Sequence, residues 1–191
     1  APTAAPSTVC YDGTSRTANA TVGAGETLSW YTASTGGSVT NQPTGTNANT
    51  YTAYALAQNN TTTCISAART SVTLTINALP AAPTAAPSTV CYDGTSRTAN
   101  ATVGAGETLS WYTASTGGSV TIQPTGTNAN TYTAYALAQN NTTTCISAAR
   151  TSVTLTINAL PTTPTVTSPT ICDGNTATLL ATATPTGTYT Y

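Results

Sequence analysis

The chain repeats itself with a period of 81 positions. Residues 1–80 and 82–161 differ at a single position, which is Asn41 in the first copy and Ile122 in the second. Solenoid units usually have about 20 to 50 residues, whereas a period of 81 is long enough for a small independent domain. We therefore predict two complete domains, 1–80 and 81–161, and the truncated start of a divergent third repeat, 162–191. We expect the natural protein to continue beyond it, and a side chain that tolerates the Asn-to-Ile exchange to be exposed.

Charged side chains are scarce, which limits the possible partners. Only 5% of residues are charged, the net charge is −1, and the four basic residues are scattered arginines. Such a chain cannot form the basic stripe that follows a phosphate backbone, so we predict no nucleic-acid partner. No apolar run approaches the roughly 20 residues that span a bilayer as a helix, so we predict no membrane span in this fragment.

The cysteines indicate an oxidising compartment. Each full repeat has two, at the same spacing, and there is no CxxC pair and no histidine to support a zinc site. The simplest pairing is Cys10–Cys64 and Cys91–Cys145, one disulfide per domain, and free buried thiols are the alternative. Cys172 is left unpaired in this fragment, and we expect its partner to lie beyond Tyr191.

The hydrophobic pattern alternates with period 2 and predicts strands. Leu28 and Trp30 point to one side of a strand and Tyr31 to the other, and a second run alternates Val72, Leu74 and Ile76 with Ser and Thr. Ala18, Ala20 and Val22 alternate in the same way, and Asp12-Gly13 and Gly36-Gly37 mark turns. Six or seven short strands, and the order Cys, Trp, Cys, predict an all-β fold: tandem Ig-like β-sandwich domains, arranged as beads on a string.

One stretch of each repeat is similar to a known domain family. The strings SWYTASTGGSVT and TYTAYALAQNNTTTCISAARTSVTLTIN resemble the Ig-like repeats of large Bacteroidota surface proteins, and both repeats match over nearly their whole length. The resemblance extends to arrays in gliding-motility adhesins exported by type IX secretion. It implies an extracellular protein at the cell surface, associated with the outer membrane. The third copy is similar to a sister repeat type found beside such domains.

Catalytic chemistry is disfavoured because the usual general bases are missing. The chain has no His and no Lys, so no base can activate a cysteine. Asp12 and Glu26 could in principle act as a glycosidase pair, but Asp12 lies in a turn and Glu26 precedes a strand, where cap and turn roles are more common. We expect Arg16 and Arg69 to pair with these carboxylates and hold loops. We predict no enzyme, no catalytic residues, no cofactor and no metal site.

Three functions remain open at this point. The first is a structural stalk or adhesin segment that projects an adhesive region for surface attachment or gliding, with further repeats of the same chain as its neighbours. The second is a weak polysaccharide-binding module, in which Tyr31 and its copy Tyr112 contact a glycan or a solid surface while Trp30 packs in the core. The third is a set of accessory domains in a secreted enzyme.

Overall fold

The computed structural model describes residues 1–166 and 168–182, and all regular secondary structure in this part of the chain is β. The described chain divides into two compact units. The first comprises Ala1–Thr84, Thr102–Ser110 and Ala136–Thr151, and the second comprises Ala85–Ala101, Trp111–Tyr135 and the described residues from Ser152 onward. The first unit thus contains the whole first repeat together with two segments of the second.

The first repeat is built from nine strands. They are β1 (Thr3–Ala5), β2 (Ser7–Cys10), β3 (Arg16–Thr17), β4 (Asn19–Thr21), β5 (Glu26–Tyr31), β6 (Val39–Thr40), β7 (Thr44–Gly45), β8 (Asn49–Asn59) and β9 (Thr70–Asn77). Five of them form a sheet in the order β2-β9-β8-β5-β6, and the others form the two-stranded sheets β1-β4 and β3-β7.

The second repeat contains the same nine strands in the same order. They are β10 (Thr84–Ala86), β11 (Ser88–Cys91), β12 (Arg97–Thr98), β13 (Asn100–Thr102), β14 (Glu107–Tyr112), β15 (Val120–Thr121), β16 (Thr125–Gly126), β17 (Asn130–Asn140) and β18 (Thr151–Asn158). The sheets are β11-β18-β17-β14-β15, β10-β13 and β12-β16. The predicted all-β fold is confirmed, with small sheets beside a larger one in each repeat.

The third repeat is described only at its start. Two short strands, β19 (Thr165–Val166) and β20 (Ala181–Thr182), pair antiparallel. Cys172 is exposed and has a free thiol. The last part of the predicted third copy, 183–191, lies outside the described residues.

A proline divides the first strand of each repeat between two sheets. Pro6 lies between β1, which pairs antiparallel with β4, and β2, which pairs parallel with β9. Because proline has no backbone N–H, it cannot continue a ladder of hydrogen bonds, so one pairing ends there and another begins. The parallel pairing of β2 with the last strand determines where Cys10 lies, because it places Cys10 opposite Asn77.

The core is assembled from the small and β-branched side chains that the alternation predicts. Val72 and Leu74 are fully buried, Ile76 is 3% exposed, and Ala18 and Ala20 close the opposite side of the cluster. The neighbouring threonines of β9 remain partly exposed, so β9 shows the predicted period of 2. The position that differs between the repeats is exposed in both, with Ile122 69% exposed, which confirms the expectation from sequence.

Each repeat has two ends that lie far apart along the long sheet. We call the end formed by Cys10 and Asn77 the exit end, because β9 finishes there. We call the end formed by residues 59–64 the loop end, because β8 finishes there. Asn49 pairs with Ile76 near the exit end, and Asn59 is ten residues further along β8. At about 3.3 Å per residue, the two ends are roughly 33 Å apart.

Candidate functional site

The disulfide of this chain joins one repeat to the other. Cys10 is bonded to Cys145, 135 positions away, with 5.6 Å between the two Cα atoms, and both cysteines belong to the first compact unit. Cys64 and Cys91 are exposed free thiols. The predicted pairing of Cys10 with Cys64 and of Cys91 with Cys145 is therefore wrong in this structure, although a disulfide itself is present.

The reason for the different pairing is the distance between the two ends of a repeat. Cys10 lies at the exit end opposite Asn77, and Cys64 lies at the loop end, where its carbonyl accepts a hydrogen bond from the Asn59 N–H at 2.9 Å. A disulfide needs Cα atoms about 4.4 to 6.8 Å apart, far less than the roughly 33 Å that separates the two ends. The cysteine that Cys10 can reach is Cys145, at the loop end of the second repeat.

A hydrogen-bonded hairpin loop precedes the loop-end cysteine. The side-chain oxygen of Asn140 accepts hydrogen bonds from the N–H groups of Thr142 and Thr143 at 3.0 and 2.9 Å. The N–H of Thr144 donates to the Asn140 carbonyl at 2.9 Å, and Thr144 has a φ of 59°. That left-handed conformation is costly for a β-branched residue, so the Asn140 contacts must hold it. The loop reverses the direction of the chain, so that Cys145 follows it at this end of the sheet.

Comparison of identical positions shows how the bonded surface is covered. At the loop end, Cys145 is 1% and Ser147 4% exposed, whereas the equivalent Cys64 is exposed and Ser66 half-buried. The same local hydrogen bond is present in both copies, because Ser147 Oγ accepts from the Ala138 N–H at 3.2 Å and Ser66 Oγ accepts from the Ala57 N–H at 3.3 Å. The difference in burial therefore comes from packing around the disulfide, not from the fold of the loop.

The exit ends differ in the same way. Leu79, just after β9 in the first repeat, is half-buried, whereas its copy Leu160 is 56% exposed. Cys10 is half-buried and Cys91 is exposed. The exit end of the first repeat, which carries the disulfide, thus buries apolar and sulfur surface. The equivalent surface at the exit end of the second repeat is exposed to water. We call the paired surfaces around Cys10 and Cys145 the joint.

The predicted glycan-contact residue Tyr31 is part of a different arrangement. Tyr31 is half-buried, and the guanidinium carbon of Arg69 lies 3.5 Å from the centroid of its ring. The same guanidinium donates hydrogen bonds to the carbonyls of Ala33, at 2.7 Å, and Gly36. Arg69 therefore holds a loop through carbonyls and an aromatic face, and the predicted pairing with a carboxylate is wrong for this residue. Its delocalised charge suits ring stacking better than a lysine would.

The remaining predicted residues have local roles. Trp30 and Leu28 pack against the core cluster, as the alternation predicts. Tyr112, the copy of Tyr31, is also half-buried on its strand. Glu26 accepts a hydrogen bond from the Gly23 N–H at 3.1 Å, so it caps a turn. A shallow cleft of about 360 Å³ is lined by residues that include Thr32, Asn41, Gln42 and Tyr51.

Asp12 organises the turn after β2. Its carboxylate accepts hydrogen bonds from the Thr14 hydroxyl and N–H, at 2.6 and 3.0 Å, and forms a salt bridge with Arg16. The Thr14 hydroxyl, the Thr14 N–H and the Arg16 side chain lower the pKa of Asp12 to about 2. The predicted Arg16–carboxylate pair is confirmed, but the ion pair is exposed and contributes little to stability.

The described residues contain no group of three or more His, Cys, Asp or Glu side chains that could hold a metal ion. The same part of the chain includes no helix with the length and apolar character of a membrane span.

Comparison with known proteins identifies the domain family. The family model described as "Ig-like domain CHU_C associated" matches residues 1–77 and again residues 80–158. The chain belongs to this family. The two matches correspond to two CHU_C-associated Ig-like domains in tandem.

Solved structures also show similarity to this chain. The I-band fragment I67-I69 from titin is 15% identical, with a TM-score of 0.42, covering 86% of this chain and 69% of that chain. The tandem Ig repeats of Dlar are 13% identical, with a TM-score of 0.29, covering 83% of this chain and 96% of that one. No curated protein matches the chain.

Proposed function

We propose that this chain is a repeating segment of a stalk or adhesin at the surface of a Bacteroidota cell, exported by type IX secretion. The CHU_C-associated Ig-like domains act as spacers that project an adhesive region for surface attachment or gliding. The observation that carries this proposal is the repetition itself: two copies differ at one exposed position and are joined covalently by Cys10 and Cys145. A spacer needs length and regularity, which near-identical copies supply, whereas a unique binding site needs neither.

Small-angle X-ray scattering tests this proposal through length. We compare the full chain with a variant in which one further copy of residues 81–161 is inserted after Pro161. An 11-residue strand such as β8 spans roughly 36 Å. We therefore expect the inserted copy to increase the maximum dimension by about 30 to 40 Å. An unchanged maximum dimension would mean that the repeats fold back on one another, and the stalk proposal would fail.

Weak polysaccharide binding is the second candidate, and one observation favours it. Tyr31 pairs across strands with Tyr54, and both remain partly exposed. A pair of tyrosines can contact a sugar ring, and tandem copies would add avidity. Against it, the Arg69 guanidinium already lies over the Tyr31 ring.

The change Tyr31→Ala, made together with Tyr112→Ala, separates the two candidates. If the tyrosines bind glycan, affinity electrophoresis in gels containing extracellular polysaccharide should show retardation of the parent chain that the double variant loses. Val39→Ala is the matched control. Val39 is 73% exposed and lies opposite Tyr31 on the neighbouring edge strand β6. Equal mobility of all three proteins, with and without polysaccharide, would exclude the tyrosine site.

A further inference from the structure

The disulfide leaves a free thiol at one end of each repeat. Cys64, at the loop end of the first repeat, and Cys91, at the exit end of the second, are exposed. They are the sequence equivalents of Cys145 and Cys10, which are bonded to each other. We propose that every junction in an array of these repeats closes with the same bond. Cys91 then pairs with the second cysteine of a following copy, and Cys64 pairs with the first cysteine of a preceding copy.

The surfaces around the free thiols are those that become buried in the joint. At the exit end, Leu160 is 56% exposed beside Cys91, and its copy Leu79 is half-buried. At the loop end, Cys64 is exposed whereas its copy Cys145 is 1% exposed, and the adjacent Ile65 is 61% exposed, with its copy Ile146 still 48% exposed. Each free end thus exposes apolar surface next to a thiol, and the partner that fits it is the opposite end of another copy of the same repeat. We call the resulting series of bonds the relay.

The chemistry of each new bond is a thiol–disulfide exchange with a low-molecular-weight disulfide, RSSR. The Cys91 thiolate attacks one sulfur of RSSR, forming a mixed disulfide and releasing RS⁻. The thiolate of the partner cysteine then attacks the Cys91 sulfur and releases the second RS⁻. Two protein thiols are oxidised and one RSSR is reduced to two RSH, with the two protons passing from the protein thiols to the released thiolates.

The relay changes which part of the backbone carries tension. From the second cysteine of one repeat to the first cysteine of the next there are only 27 positions, as from Cys64 to Cys91 and from Cys145 to Cys172. Each bond then bridges 135 positions. The shortest covalent path through two repeats therefore crosses one disulfide and then follows the backbone for 27 positions. That length of backbone is about 90 to 100 Å when fully extended. The strands between the first and second cysteine of a repeat lie outside this path.

The relay deepens the proposed stalk function and rests on the repeats forming an extended array. The test uses the full chain with one further copy of residues 81–161 inserted after Pro161, folded with oxidised glutathione as RSSR. Free thiols are alkylated, and the bonds are located by mass spectrometry of unreduced peptides. We expect two bonds, Cys10–Cys145 and one from Cys91 to the second cysteine of the inserted copy. Three thiols should be alkylated: Cys64, Cys172 and the first cysteine of the inserted copy.

Matched variants make each outcome decisive. In the extended chain, Cys91→Ser should remove the second bond and retain Cys10–Cys145, while Cys64→Ser should leave both bonds unchanged. A single bond with five alkylated thiols, or a bond between the two cysteines of one repeat, would overturn the relay. If the maximum dimension still grows by about 30 to 40 Å in that case, the stalk proposal survives. If the dimension does not grow, the stalk proposal fails independently of the bonds.

Discussion

Pulled from its two ends under oxidising conditions, the chain should reach a fully extended length about 450 to 490 Å shorter than it reaches in the presence of a reductant. The Cys10–Cys145 bond encloses a loop of 135 positions. Tension passes directly through the sulfur atoms, so the enclosed backbone carries no load until the bond is cleaved. Single-molecule force spectroscopy at constant force, with a reductant added during the pull, should show this length released in one step.

The alternative pairing gives a different and measurable result. Bonds within each repeat, Cys10–Cys64 and Cys91–Cys145, would enclose two loops of 54 positions each. Reduction would then release two separate steps of about 180 to 195 Å. Cys64→Ser is the control, because Cys64 is a free thiol, and its release pattern should match that of the parent chain. Two steps in the parent chain, and one in the Cys64→Ser variant, would contradict the bond described here.

Loss of the disulfide should also produce the largest change in stability. The chain-entropy account gives about 5 kcal/mol for closing a loop of roughly 135 residues. Cys10→Ser should therefore lower the free energy of unfolding of the oxidised chain by up to about 5 kcal/mol. Urea unfolding followed by tryptophan fluorescence measures this change, since each repeat contains one tryptophan, Trp30 or Trp111.

The near-identical repeats supply a matched control for this measurement. Cys64→Ser changes the same residue type at an exposed position that makes no disulfide, so its unfolding midpoint should equal that of the parent chain. Adding a reductant should bring the parent chain to the midpoint of the Cys10→Ser variant and should not affect that variant. If Cys64→Ser destabilises the chain as much as Cys10→Ser does, the two cysteines act together, and the bond within one repeat is the correct one.

Much of each repeat follows from local sequence. The alternation of Val72, Leu74 and Ile76 predicts a strand with one buried face, and the structure confirms it. Gly13 and Gly36 have positive φ angles of 77° and 62°, as the predicted turns require. These features depend on neighbours within a few residues, where period and turn chemistry are sufficient.

The roles of Tyr31 and Arg69 were less accessible from sequence. Alternation correctly places Tyr31 on the face opposite Leu28 and Trp30, but it does not show that a guanidinium lies over the ring. Arg69 is 38 positions away along the chain. It reaches Tyr31 because the sheet order places β9 close to β5, with only β8 between them. The preference of arginine for aromatic faces predicts the contact between Arg69 and Tyr31 only when that sheet order is known.

The sequence by itself determined the 81-position repeat, the strands with their buried faces, and the number and spacing of the cysteines. Only the tertiary structure decided which cysteines meet. Pro6 interrupts the first strand, and β2 then pairs parallel with β9, which carries Cys10 to the exit end. Cys64 lies at the loop end, roughly 33 Å away at about 3.3 Å per residue along β8. Spacing along the chain carries no information about that separation, because strand pairing, and not the number of intervening residues, sets the distance between two sulfur atoms.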